Sequence, residues 1–304
     1  MTYRNLIGVI AALLGRSRRR ILAVAASAFL LAAIGTVLLA EKESALEQVR
    51  TKDTLTVITG NNSTTYYTYR GKPQGFEYDL AAAFAEYLGV DLRVVTAPWS
   101  QMMPKLRDGA GDFVAAGLTV TPERERLVDF SDGYLVVRQH VIAHASNYGI
   151  RDMADLIDKK IHVRSGSSYE ERLRSLRRNG LDIEIVLRED VPTEELIREV
   201  ANKEIELTIA DTHIAELNRR YYPDVRIAFP ISGTQTIAWA VAPSQHELRS
   251  EMNEFFAMIK ETGVYDRIYE RYFANVRVFD YVDLKTFHER LDTRLPRFKM
   301  TIQE

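Results

Sequence analysis

The sequence has 304 residues, of which 46% are hydrophobic and 27% charged, and it contains no cysteine. This is an ordinary globular composition with room for two domains or one two-lobed domain. It excludes disulfides, thiolate zinc sites, cysteine nucleophiles and a lipid-modified cysteine anchor. Residues 1–40 carry five basic side chains and no acidic one, leaving 35 basic and 42 acidic residues in the remainder. An acidic balance without a long basic run argues against nucleic acid as a partner.

The first predicted element is a membrane segment. Residues 21–40, ILAVAASAFLLAAIGTVLLA, run 20 residues without a charge, which as a helix spans about 30 Å, one hydrocarbon core. Arg16, Arg18, Arg19 and Arg20 stand immediately before it. The positive-inside rule keeps residues 1–20 in the cytoplasm and exports the rest, anchored in the inner membrane with its bulk in the periplasm. A cleaved signal peptide is the other reading. Its apolar region is usually shorter, about 7–15 residues, and no clean Ala-x-Ala site ends this one. Residues 41–53 are polar and read as a juxtamembrane linker.

From Leu55 onward short β-rich runs alternate with amphipathic helices. TLTVITG reads as a strand, DLAAAFAEYLG as a helix closed by Gly89, DLRVVTA as a strand, SQMMPKLRDG as a helix and DFVAAGL as a strand. This order predicts a parallel sheet with helices on both faces. YLVVRQHVIAHA (134–145) is one long extended run. A second alternating unit follows, from KKIHVRSG through IELTIAD and THIAELNRRYY to VRIAF. TQTIAWAVAP (234–243) is a second long extended run, and a helical stretch continues to about Phe273. Two α/β units joined by two extended runs predict two lobes, one of 54–140 with 235–275 and the other of 145–232, with crossings near 140–146 and 232–238. Ligands bind open α/β sheets beyond the carboxyl ends of the strands, so two such sheets face one another across a cleft that closes on a hinge.

Five stretches in this order resemble the bacterial extracellular solute-binding proteins of the polar amino acid type, the family also found as the ligand core of ionotropic glutamate receptors. They are GFEYDLAAAFAEYLGV (75–90), PWSQMMPKLRDGAGDFVAAGLTVTPERERLVDFSDGY (98–134), HVRSGSSYEERL (162–173), ELTIADTHIAEL (206–217) and MIKETGVYDRIYERYF (258–273). The resemblance covers about residues 53–275. It implies an α/β, two-lobed periplasmic-binding-protein-like (type II) fold with a hinge, and a small-molecule ligand, an amino acid or a cell-wall peptide.

In that family the arginine of the Thr-Pro-x-Arg stretch grips the ligand's α-carboxylate, which here is Arg124. A planar guanidinium suits the role because it gives two parallel bonds and stays charged in a closed cleft. Spacing alone favours a helix-surface arginine paired with Glu123, Glu125 or Asp129, and it is the resemblance that turns Arg124 toward the ligand. Ser165–Ser168 lie between a predicted strand and a predicted helix, where free backbone N–H groups suit a carboxylate. The family uses the second or third residue of this turn, so Ser167 and Ser168 are the candidates, with plain N-capping as the alternative. Asp211 matches the aspartate that takes the α-amino group, or else caps the helix that follows it. Gly117 and Thr119 match positions whose backbone or hydroxyl bonds the ligand. Tyr67, or its neighbour Tyr66, is a candidate aromatic wall or a surface loop residue. Trp99 reads as cleft-edge packing. Glu77 stands at a position that is commonly acidic and is left between ligand contact and helix cap.

The ends carry a closer resemblance. The apolar segment, the TTYY loop, residues 75–90 and the tail VFDYVDLKTFHERLDTRLPRF (278–298) look like the module preceding the catalytic domain in the membrane-bound lytic transglycosylase F group, which cleaves peptidoglycan. This implies that 276–304 is a connector and peptidoglycan a possible partner. The catalytic Glu-Ser of that group has no match here, since the one Glu-Ser pair, Glu43–Ser44, lies in the predicted linker. The alternative reading is therefore the regulatory part of a murein transglycosylase, with no catalytic residues within these 304. No phosphate-binding loop, dinucleotide fingerprint or nucleophile elbow occurs. His140 and His144 are four apart, but on an extended run this gives no metal-ligating face. No cofactor or metal is implied.

Overall fold

The computed structural model describes residues 44–243 and 245–274. The apolar segment 21–40 and the connector 276–304 lie outside the described residues. Among the described residues no helix is long and apolar enough to cross a membrane.

Lobe 1 begins with helix α1 (Ala45–Lys52), whose Leu46 and Val49 are buried in the lobe's aromatic core. This corrects the expectation of a linker over 41–53. The two apolar residues, three apart, fall on one helix face and bury it. Strands β1 (Thr54–Thr59), β2 (Tyr67–Tyr69) and β3 (Lys72–Gln74) follow, then α2 (Phe76–Leu88), β4 (Asp91–Thr96), α3 (Trp99–Arg107), β5 (Phe113–Val114), the single turn α4 (Pro122–Glu125) and β6 (Asp129–Phe130). Helix α2 ends as its sequence dictates, at Gly89 in the left-handed conformation with φ 72, which a residue without Cβ adopts freely. Strands β4, β1 and β5 run parallel. Strand β1 is the middle one of the three and is buried from Leu55 to Thr59, as a strand with helices on both faces must be.

The chain then crosses between lobes. Strand β7 (Leu135–Val137) pairs antiparallel with β13 (Gln235–Ile237) in a two-stranded ribbon. Strand β8 (Gln139–His144) already belongs to the sheet of lobe 2. The first crossing is thus at Arg138 rather than within 140–146, because the long extended run is divided between two sheets. Lobe 2 continues with β9 (Lys160–Arg164), α5 (Ser168–Arg178), β10 (Glu184–Arg188), α6 (Thr193–Ala201), β11 (Leu207–Asp211), α7 (Thr212–Tyr221) and β12 (Val225–Pro230). Its sheet order is β10-β9-β11-β8-β12, with β10, β9 and β11 parallel and β8 antiparallel to its neighbours β11 and β12. After β13, strand β14 (Ala240–Val241) enters the lobe 1 sheet, whose order is β4-β1-β5-β14-β6. Helices α8 (His246–Glu261) and α9 (Val264–Tyr269) and a last turn, Glu270–Ala274, close the lobe.

The lobe 1 core is aromatic, with Trp239, Phe84, Phe113, Phe255 and Phe256 almost fully buried. Glu77 sits inside it. Its carboxylate accepts hydrogen bonds from the Gly117 amide at 2.7 Å, the Trp239 indole at 2.9 Å and the Tyr134 hydroxyl. Burial raises its pKa, while these three bonds pull the other way. Glu77 is therefore held by its own lobe.

Candidate ligand site in the cleft between the lobes

The lobes meet along the carboxyl ends of both sheets. Trp99, at the start of α3, donates its indole N–H to the Gly166 carbonyl of lobe 2 at 3.1 Å. Ser100 donates from its amide and hydroxyl to the two carboxylate oxygens of Asp190, at 2.9 and 3.0 Å. The Thr64 hydroxyl reaches Glu194 at 3.2 Å, and the Thr119 and Ser168 hydroxyls share a bond of 3.1 Å. These contacts join the two lobes in a closed arrangement.

Thr121 caps the turn α4 and places Arg124 at the seam, 5% exposed. The guanidinium donates to the Thr119 carbonyl at 2.8 Å and to the Gly166 carbonyl across the cleft at 3.2 Å. It lies over the Trp99 ring at 5.4 Å, and Glu171 of lobe 2 is its nearest ion-pair partner at 3.9 Å. Burial lowers its pKa, with Glu171 and Asp211 acting against that and Arg164 with it. Arg124 is thus a buried seam residue rather than a helix-surface arginine.

The turn between β9 and α5 shows how its serines are used. Gly166 takes φ 70, so its carbonyl can face Trp99 and Arg124 without a Cβ penalty. Ser167 is the N-cap: its hydroxyl accepts from the Glu170 amide at 3.3 Å and donates to the Arg164 carbonyl at 2.6 Å. The amides of Ser165, Gly166 and Ser167 are engaged by Arg188, Glu170 and Arg164, so these three are not free in the closed cleft. Ser168 is buried, with its hydroxyl between Thr119 and the Gln139 amide.

Asp211 ends β11 and starts α7 without capping it. It is 2% exposed, and its Oδ1 has no hydrogen-bond partner. Burial raises its pKa to about 7, against a bond from Tyr169 and the charges of Arg124 and Arg164. The structure therefore gathers Arg124, Thr119, Ser168 and Asp211 at one seam. The Gly117 amide is committed to Glu77. Tyr67 stands apart on the β2–β3 hairpin, its hydroxyl bonded to Gln74 at 3.2 Å. Neither it nor Tyr66 is among the residues that line the cleft cavities.

The open space lies beside the seam. A cavity of about 360 Å³ is bounded by Gly60, Asn62 and Trp99 of lobe 1 and by Arg164 and Asp190 of lobe 2, a size suited to a small molecule. A smaller one, about 30 Å³, is lined by Gly117, Arg164, Tyr169, Thr193, His213 and Phe273, among others. Arg164 faces both. Sequence reasoning passed over it, because an arginine at a strand end looks like any solvated one. Its place one residue before the Ser-Gly-Ser-Ser turn was the only signal.

The sequence profile described as bacterial extracellular solute-binding proteins, family 3, matches residues 54–275. The chain belongs to this family. It is 50% identical over 259 residues to a membrane-bound lytic murein transglycosylase F of Desulfosudis oleivorans, covering 85% of this chain and 57% of that protein. It is 37% identical over 270 residues to one of Saccharophagus degradans, covering 88% and 54%. The chain spans a little over half the length of these relatives. Among solved structures, an ancestral arginine-binding protein bound to arginine matches with a TM-score of 0.66 and 30% identity, over 73% of this chain and 98% of that one. The two-lobed fold expected from the resemblance is thus the one found.

Proposed function

We propose that the chain is an extracytoplasmic solute-binding module, held at the inner membrane by residues 21–40, which closes by its hinge on an amino acid or short peptide. Arg124 takes the ligand's carboxylate and Asp211 its amino group, with Thr119 and Ser168 around the carboxylate and Ser167 holding the turn as its N-cap. The observation that carries this reading is Asp211: a fully buried carboxylate that neither caps its helix nor satisfies its Oδ1. An orphaned buried acceptor is costly, and a ligand ammonium relieves it. In the closed cleft Arg124 is bonded to Gly166, and Ser168 to Thr119. The ligand must therefore enter an opened cleft and replace these contacts. Calorimetry with a panel of free amino acids and dipeptides tests the reading, and no heat of binding from any of them contradicts it.

A second reading is favoured by the 50% identity to a murein transglycosylase of which the match covers only 57%. In it the module is the regulatory part of a peptidoglycan lyase, and the ligand is a cell-wall peptide. A lysozyme-like domain in frame beyond codon 304 supports this reading. A stop codon directly after it, in the intact gene, contradicts it.

A further inference from the structure

Arg164 is the chemically unfinished group in the cleft. It ends β9, faces both cavities and stacks on Trp99 with its guanidinium carbon 3.7 Å from the ring centroid. Its Nε is buried and has no hydrogen-bond partner. Three carboxylates act on it through space, those of Glu194, Asp211 and Asp190. Asp190 already accepts two bonds from Ser100 and Glu194 one from Thr64, so these two carboxylates fasten the lobes to one another.

A second, independent group points the same way. Helix α6 starts at Thr193 with no side-chain cap, since Pro192 occupies the N-cap. Thr193 is 1% exposed, lines the smaller cavity together with Arg164, and its hydroxyl has no partner. Arg164 and Thr193, each with a donor that has no partner, line one small space beside Glu77 and Glu194, whose carboxylates already accept bonds from lobe 1. Donors so arranged suit an anion.

Trp99 bears on the alternative. An aromatic face in a cleft is a natural seat for a ligand cation. Here the chain's own Arg164 covers that ring, and Arg124 lies 5.4 Å from it. A cationic side chain brought to Trp99 would meet two guanidinium groups.

We propose that Arg164 and Thr193 form a second anion site in the cleft, which takes a carboxylate at the ligand's distal end and so selects acidic amino acids, or short peptides with an additional carboxylate, over their neutral and cationic counterparts. This rests on the reading of the cleft as an amino-acid or peptide site. The α-carboxylate goes to Arg124, and the ligand's remainder extends into the space that Arg164 borders.

The test is calorimetry on the full chain with L-glutamate, L-glutamine and L-arginine, and with the dipeptides L-alanyl-L-glutamate and L-alanyl-L-glutamine. The expected result is that the acid of one pair, free or dipeptide, binds about tenfold to a hundredfold more tightly than its amide. The pair that shows the preference tells a free amino acid from a peptide. Arg164→Gln is expected to bring the acid down to the affinity of the amide, and Thr193→Val to narrow the gap part of the way. Amides or arginine binding wild type as tightly as the acids overturns the proposal. So does an Arg164→Gln variant that weakens acid and amide alike and keeps the preference. If the amides bind as well as the acids and lose affinity in Arg124→Ala, only the second site falls. If no probe binds wild type, the reading of the cleft falls with it.

Discussion

Asp211 of lobe 2 and Arg124 of lobe 1 act on one another's charge across the cleft, yet the Asp211 Oδ1 has no hydrogen-bond partner. The guanidinium has instead turned to two carbonyls, those of Thr119 and Gly166. A zwitterion placed between the two residues would give the Asp211 Oδ1 the donor it lacks and offer Arg124 a carboxylate in place of the two carbonyls.

Arg124→Ala is expected to abolish measurable binding of any carboxylate ligand. Removing one member of a buried charge pair costs roughly 3–5 kcal/mol, or about two to three and a half decades of affinity. Calorimetry on the variant checks this, with a thermal melt to show that the fold persists. Wild-type affinity in a folded Arg124→Ala protein contradicts the assignment.

Binding should depend on pH through Asp211. Its pKa of about 7 in the closed, ligand-free protein lies above the ordinary 3.8. The native state therefore holds a proton that the unfolded chain has released, and this group's contribution to stability falls as pH rises from about 4 to 7. Ligand ammonium favours the ionised carboxylate, so the effect on binding has the opposite sign. Affinity should rise about tenfold per pH unit up to about 7 and level off above it, with a proton released on binding. Asp211→Asn should flatten the profile, as titrations between pH 5 and 8.5 will show.

Closure should depend on Asp190. It accepts two hydrogen bonds from Ser100 across the mouth of the cleft. Asp190→Ala is expected to weaken ligand binding by up to roughly fivefold to 150-fold, since the two bonds together contribute about 1–3 kcal/mol. Small-angle scattering should show a larger ligand-free particle that still compacts at saturating ligand. Identical profiles for variant and wild type would remove Asp190 from the closing mechanism.

Much of this was legible in the sequence. The alternation of short apolar runs with amphipathic helices fixed the two lobes, and Gly89 marked the end of α2. What failed did so for physical reasons. The run 134–145 reads as one strand because its apolar pattern does not change when the chain leaves the ribbon for the second sheet at Arg138. Only β5 (Phe113–Val114) of DFVAAGL forms a strand, because Gly117 and Thr119 leave the sheet at the cleft. Helix α1 was read as a linker because eight residues with two core contacts give a weak periodic signal. Arg164 and Thr193 were missed because their importance lies in partners they lack, which a sequence does not record. Glu77 was left undecided because its three donors come from positions 117, 134 and 239.

Glu77→Gln tests the core of lobe 1. The substituted amide replaces one acceptor oxygen with a donor, set among three donors from Gly117, Trp239 and Tyr134. A loss of about 1–3 kcal/mol of stability is expected from the unsatisfied groups. Thermal or denaturant unfolding measures it directly. An unchanged midpoint would mean that Glu77 does not organise the lobe.

The most direct measurement compares free and N-acetylated forms of one bound amino acid against wild type and Asp211→Asn. Acetylation removes the ammonium and leaves the carboxylate for Arg124. Wild type should bind the free form far more tightly than the acetylated one, and Asp211→Asn should lose most of that preference while keeping its residual affinity for the acetylated ligand. Equal losses for both ligands in Asp211→Asn would show that Asp211 serves only the protein's own structure, and would contradict a cleft that reads a zwitterion between Arg124 and Asp211.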